Sequence, residues 1–353
     1  MNVLYLLATL NIKTGTPKKI LDLVGESSAN STVFTWTLGS SENAKLYRAN
    51  GADVVQIDGG RNVFLVIYKL KRLIDAKNID VVVCHYSYGE FIGSILKVLC
   101  QNIKIVVPFV GPFAPSRLKR IVLESFSYKK LDAVIYVSEY IKKEKLIQFP
   151  MLKNVESRVI YNGTDLPLEK YKIKSENFLT MSTTGSLIDW KNIDFLLPII
   201  KDLKSKHHLD TRLYILGAGP MKSILQDKIA MLGLGNDVVL VGATDNVGGY
   251  LNASDIYLHP SLKEGFGVAV IEGMYCENCV ITSDKGALPE LTNNVSSFSI
   301  ACDSTLWVDK IVELCGSDKL EVLKQHSKTY VESKFSTKLF SSKYDTFLDS
   351  LIK

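Results

Sequence analysis

No apolar run in the 353-residue chain approaches the roughly 18–20 residues that a membrane-spanning helix needs. A helical membrane protein is therefore not expected. The first ten residues, MNVLYLLATL, carry no basic stretch and no cleavage site. They read as a first β-strand instead of a secretory signal, so a cytoplasmic protein is expected. Cysteine is sparse, at six residues, and the spacing builds no disulfide framework in a chain this long. Cys276-Glu277-Asn278-Cys279 has no second ligand pair at matching spacing, so a structural zinc site is not expected. Low-complexity segments and internal repeats shorter than a domain are missing. The turn Leu216-Gly217-Ala218-Gly219-Pro220 lacks the third glycine of a dinucleotide fingerprint, which argues against NAD. No Asp-x-Asp pair is present to hold a divalent metal against phosphates.

What is there is an ordinary globular composition, 46% apolar and 22% charged, in a chain long enough for two cores. Short Val/Ile-rich runs alternate with amphipathic segments. Strand candidates in the first half are Asn2–Ala8, Val33–Thr37, Asp53–Ile57, Val81–Cys84, Lys104–Val107, Ala133–Val137 and Arg158–Tyr161. In the second half they are Phe178–Thr183, Arg212–Leu216, Val238–Val241, Ile256–His259 and Cys279–Thr282. Such alternation predicts α/β architecture with parallel sheets covered on both faces, here as two doubly wound domains. The joint is expected at Asn162-Gly163-Thr164-Asp165, followed by Pro167 and the polar run Glu169–Asn177.

Charge is uneven. Residues 1–167 hold 22 Lys and Arg against 14 Asp and Glu, and residues 168–353 hold 20 against 23. The basic excess clusters at Lys69, Lys71 and Arg72, at Arg117, Lys119 and Arg120, at Lys129 and Lys130, and at Lys142, Lys143 and Lys145. A basic first half suits an anionic membrane surface or a phosphorylated acceptor, and equally a solvated face. Nothing points to nucleic acid.

The richest stretch is HPSLKEGFGVAVIE, His259–Glu272. Glu264 and Glu272 flank a Gly265-Phe266-Gly267 turn, and the apolar residues that follow read as the start of a helix. Both glycines permit close approach of a ligand and positive φ. The amides of Gly267, Val268 and Ala269 cannot find partners one turn back in their own helix, which makes the turn a ready phosphate site. Carboxylates on either side can accept hydrogen bonds from hydroxyls flanking that phosphate. A nucleotide diphosphate sugar has this layout. The plain alternative is two solvated carboxylates at a helix end.

This stretch resembles the Glu-x7-Glu signature of the retaining glycosyltransferases of family 4. The resemblance extends over most of the chain and is strongest from Ile256 to Glu290. It implies a GT-B fold, two Rossmann-like domains facing a cleft, with an acceptor domain at 1–167, a donor domain at 168–335, and a last helix at 336–353 packing back on the first. It implies Glu264 on the donor sugar and Glu272 on the ribose. The family's Gly-Arg-Leu…Lys segment corresponds to Gly185-Ser186-Leu187 and Lys191, so Lys191 with the backbone amides is expected to hold the leaving diphosphate, and Ser186 replaces the family's arginine. Gly217 lines the implied base pocket, and Gly286 with Pro289-Glu290 forms a rigid turn beside the Glu264 loop. In the first domain Gly15, in Thr14-Gly15-Thr16, stands for a glycine pair near the phosphates. His85 ends a strand as an acceptor-side or active-site residue. Val110 occupies the position of the family's sugar-contacting histidine, so either His85 substitutes or the departing phosphate takes the acceptor proton.

The expected activity is metal-independent, cofactor-free, retaining transfer of a hexose or N-acetylhexosamine from a nucleotide sugar. The expected acceptor is a hydroxyl of a lipid-linked chain or oligosaccharide in bacterial surface polysaccharide synthesis, at the inner face of the cytoplasmic membrane. Another nucleotide-sugar enzyme such as an epimerase, or a non-catalytic nucleotide-binding subunit, fits the same features.

Overall fold

The computed structural model describes residues 1–12, 15–57, 62–112, 116, 118, 123–165, 178–316 and 320–353. Thr14, Arg117, Lys119, Arg120, Pro167 and the polar run 169–177 lie outside them. The chain divides into two compact units, Met1–Gly163 with Thr337–Lys353, and Thr164–Ser336. The division falls inside the Asn-Gly-Thr-Asp turn.

Unit 1 is built on seven parallel strands: β1 (Asn2–Leu7), β2 (Asn30–Thr35), β3 (Asp53–Gln56), β4 (Val81–Cys84), β5 (Lys104–Phe109), β6 (Ala133–Tyr136) and β7 (Glu156–Val159). Their order is β3-β2-β1-β4-β5-β6-β7. The central strands are Val/Leu/Ile runs buried along their length, as a sheet covered on both faces requires. Helices α1 (Gly15–Glu26), α2 (Ser41–Ala49), α3 (Val63–Lys77), α4 (Tyr86–Leu99) and α5 (Glu139–Gln148) connect them. Polar caps set their starts: the side chains of Ser40, Asn62 and Ser138 each accept a first-turn amide, of Asn43, Leu65 and Ile141.

Unit 2 has six parallel strands: β8 (Leu179–Thr184), β9 (Thr211–Leu216), β10 (Val238–Gly242), β11 (Ile256–His259), β12 (Cys279–Ser283) and β13 (Ser297–Ile300), in the order β10-β9-β8-β11-β12-β13. Its helices are α6 (Leu196–His207), α7 (Lys222–Met231), α8 (Val247–Asn252), α9 (Val268–Tyr275), α10 (Ser304–Cys315) and α11 (Leu320–Lys334). Strand β13 has no counterpart in the sequence reading.

The last helix, α12 (Thr337–Ile352), belongs to unit 1. Phe340, Tyr344, Phe347 and Leu348 join the core made by Tyr5, Leu21 and Val24. The buried Asp345 carboxylate accepts from Ser27 Oγ, from the Ser28 amide and from Ser28 Oγ, at 2.7, 2.8 and 3.0 Å. No described helix is long and apolar enough to cross a membrane.

The six cysteines are all free. Burial pushes the Cys276 and Cys279 thiols up to about 12, so neither is a reactive thiolate.

Of the basic clusters, Lys145 is corrected by the structure. It lies one turn after Ile141 on the core face of α5 and is buried, with Nζ 3.1 Å from Gln148 Oε1 and 5.5 Å from the Phe109 ring centroid. It cannot contribute to a surface patch. Lys69, Lys71, Arg72, Lys129, Lys130 and Lys143 are exposed.

Candidate functional site

The chain of unit 2 runs outward from β8 to β9 and β10, then returns to the other side of β8 with β11. The direction of winding reverses between β8 and β11, and in open parallel sheets a ligand crevice opens at the carboxyl ends of such a pair. The loops leaving β8 and β11 carry the residues singled out above.

Backbone bonds zip these loops together. The Gly185 amide donates to Leu216 O and the Leu187 amide to Ala218 O, each at 3.0 Å. Gly217 sits at φ +142°, and a Cβ there would meet Gly185 O at 1.8 Å, so only glycine lets the two loops approach this closely. On the other side the Leu262 amide and Ser261 Oγ both donate to Trp190 O, at 2.7 and 3.2 Å, and Asn192 Nδ2 donates to Pro260 O at 3.3 Å.

This bracing sets Lys191 against Glu264, with Nζ 2.5 Å from Oε2. The same oxygen is 3.0 Å from His259 Nε2. Burial pushes the Glu264 carboxyl up, but the His259 hydrogen bond and the Lys191 ammonium outweigh it and hold it down at about 2. Glu264 is thus a carboxylate throughout the physiological range. The Ala287 amide donates to Glu264 O at 3.1 Å, so the Gly286 turn packs on the Glu264 loop.

Gly267 caps α9 at φ +104°, and the helix starts at Val268. Gly265 is not among the residues with positive φ, so of the two glycines only Gly267 uses that freedom. The Phe266 ring is buried edge-to-face on Phe335, with centroids 5.9 Å apart, which gives its side chain a packing role. Glu272 lies in the middle of α9 and is half-buried, near enough to Tyr257 for its charge to act on the phenol. Ser186 is exposed beside these loops.

In unit 1 the winding reverses between β1 and β4. His85 directly follows β4 and caps α4. It is buried, its Nε2 has no hydrogen-bond partner among the described residues, and burial pushes its imidazole down to about 3, so it is neutral. Tyr86 beside it holds φ +64°, an uncommon conformation for a bulky residue. Gly15 opens α1, and among the described residues an added Cβ would meet nothing within 4 Å. Val110 is exposed just past β5. The structure thus gathers Gly185, Lys191, Gly217, Glu264 and Gly267 at one reversal point, with His85 and Gly15 belonging to the other unit.

Two residues were missed by the sequence reading. His259 and Tyr257 alternate along β11, so both side chains lie on one face of the sheet and form a buried chain to Glu264. The i,i+2 spacing is legible in the sequence, whereas the bond from His259 to Glu264 is not.

The family model for glycosyltransferase family 4 matches residues 30–167, and that for glycosyl transferases group 1 matches residues 179–317. The chain belongs to the family 4 type of GT-B glycosyltransferases. An uncharacterized glycosyltransferase of Methanocaldococcus jannaschii is 27% identical over 66% of this chain, and the match spans 64% of that relative's length, just under two thirds. The capsular polysaccharide biosynthesis glycosyltransferase CapH of Staphylococcus aureus is 26% identical over 71% of this chain and 73% of its own. Among solved structures, Anabaena HepE in complex with UDP and glucose superposes with a TM-score of 0.80 at 17% identity, covering 99% of this chain and 100% of that one. This likeness establishes the GT-B fold. The two sheets of seven and six parallel strands are the two Rossmann-like domains of a GT-B glycosyltransferase.

Proposed function

We propose that this glycosyltransferase moves a hexose or N-acetylhexosamine from a nucleotide diphosphate sugar to an acceptor hydroxyl, with retention at the anomeric carbon. The observation that carries the reading is the Glu264 carboxylate fixed against Lys191 at the reversal point of the donor sheet, eight residues before Glu272 and one glycine turn before a helix N-terminus. Glu264 then holds the sugar and Glu272 the ribose. Lys191 and the amides of Gly267, Val268 and Ala269 stabilise the negative charge that develops on the leaving diphosphate, the kind of electrostatic contribution that dominates such chemistry. The neutral His85 belongs to the acceptor side. The departing phosphate takes the acceptor proton, since Val110 offers no base.

A uridine donor is the first to try, because HepE is described with UDP and glucose. A surface polysaccharide acceptor is favoured by the similarity to CapH and by the basic first half of the chain. A thermal-shift screen across UDP, GDP, ADP and their sugars tests the donor, since a ligand at 100 times its Kd stabilises by about 2.7 kcal/mol. Proton NMR of the product's anomeric signal tests retention. An inverted anomer, or release of an epimerised nucleotide sugar, would overturn the reading.

A further inference from the structure

We propose that Tyr257 and His259 act as a positioning pair that fixes which oxygen of Glu264 is offered to the donor sugar. The proposal rests on the transfer reading of this site and concerns residues that reading does not use.

Both side chains project from the same face of β11, with rings stacked at 5.9 Å between centroids and 23° between planes. Tyr257 Oη lies 3.1 Å from His259 Nδ1, and His259 Nε2 lies 3.0 Å from Glu264 Oε2. A carboxylate oxygen only accepts, so the proton of the neutral imidazole sits on Nε2. Nδ1 is then a bare acceptor, and the Tyr257 hydroxyl donates to it. Thr184 Oγ1, 3.0 Å from Tyr257 Oη, completes the chain by donating to the phenol oxygen. Tyr257 and His259 are both almost fully buried. The opposite tautomer would set two lone pairs against each other in a dry site, which a low local dielectric makes costly. Burial lowers the proton affinity of His259 and raises that of the Tyr257 hydroxyl, so the ring stays neutral and the phenol stays a donor. The other charged groups acting on the pair are Lys191 on the β8 loop and Glu272 on α9.

The consequence lies at Glu264. Lys191 Nζ and His259 Nε2 both bond Oε2, while Oε1 carries no hydrogen bond among the described residues. The side chain retains 17% exposure. One oxygen is saturated and the other is presented. A sugar group meeting Oε1 must be a donor, a hydroxyl or an amide N–H, and a carbonyl or carboxylate there is rejected.

The test combines two readouts on the full-length protein. Nitrogen-15 NMR of histidine-labelled protein, with His259→Gln as the assignment control, reads the tautomer without any turnover. The Nε2–H form is expected at neutral pH, shifting toward a mixture in Tyr257→Phe. Kinetics with a nucleotide sugar are expected to show His259→Ala lowering kcat by about tenfold or more. The acid limb of its pH profile moves up by at least about one unit, because Glu264 loses a partner that holds its proton affinity down. His259→Gln supplies an amide N–H near the Nε2 position and is expected to restore kcat to within about threefold of wild type. A charged or Nδ1–H ring at neutral pH, or an unmoved acid limb in His259→Ala, overturns the proposal. Absence of turnover in the wild type overturns the transfer reading instead, and the tautomer still decides the positioning pair.

Discussion

Lys191 Nζ and Glu264 Oε2 lie 2.5 Å apart across 73 residues of sequence. The contact ties the residue assigned to the leaving phosphates to the residue assigned to the sugar. Both side chains are mostly buried, so the pair is screened far less than a surface ion pair.

The first expectation concerns pH. The Glu264 carboxyl is held at about 2 against an ordinary 4.5. A depressed carboxyl contributes stability that is present above its unfolded value and lost as pH falls toward its folded value. The stability advantage of the wild type over Glu264→Gln should therefore be constant at neutral pH and shrink between about 4.5 and 2. Urea denaturation at stepped pH measures it, and an advantage that grows on acidification would contradict the account.

Lys191 is the only cation assigned to the leaving diphosphate, because Ser186 stands where the resembled family has arginine. Lys191→Ala should reduce turnover more than about tenfold, the factor set by a lost transition-state contact of about 1.4 kcal/mol. Ser186 is exposed beside the same loops, so Ser186→Arg should tighten donor binding. Steady-state kinetics of both variants check this, and a Lys191→Ala enzyme with unchanged kcat would remove the lysine from the mechanism.

Metal independence is a separate expectation. The charge compensation proposed here comes from Lys191 and a helix N-terminus, and no Asp-x-Asp pair is available near it. Turnover should persist in excess EDTA. Loss of activity restored by Mg²⁺ or Mn²⁺ would require a different leaving-group site.

Membrane association is expected to be electrostatic and to depend on the exposed Lys69, Lys71 and Arg72 of α3, next to the exposed Phe64 and Tyr68. Each such charge is worth about 1 kcal/mol near an anionic surface at low salt. Replacing the three with alanine should release the protein from phosphatidylserine vesicles, as sedimentation would show. Retention in molar salt would argue against an electrostatic contact.

Much of this was legible in the sequence. The Val/Ile-rich strands announced themselves because a parallel sheet buries both faces, and Gly267 marked the start of α9. Strand β13, Ser297–Ile300, escaped because an edge strand reading SFSI carries little apolar signal. A run of lysines does not reveal which one faces inward, and Lys145 does so because its i,i+4 spacing from Ile141 puts it on the core face. The coupling of Tyr257 and His259 to Glu264 depends on the path of the loop after β11, which no local pattern specifies.

The central claim is that Glu264 holds the sugar and Glu272 the ribose. Titration calorimetry of Glu264→Gln and Glu272→Gln with the bare nucleotide diphosphate and with its sugar tests it directly. Glu264→Gln should bind the diphosphate nearly as well as wild type and lose the increment due to the sugar, while Glu272→Gln should bind both ligands more weakly. Equal binding of the bare diphosphate by the two variants would contradict the assignment.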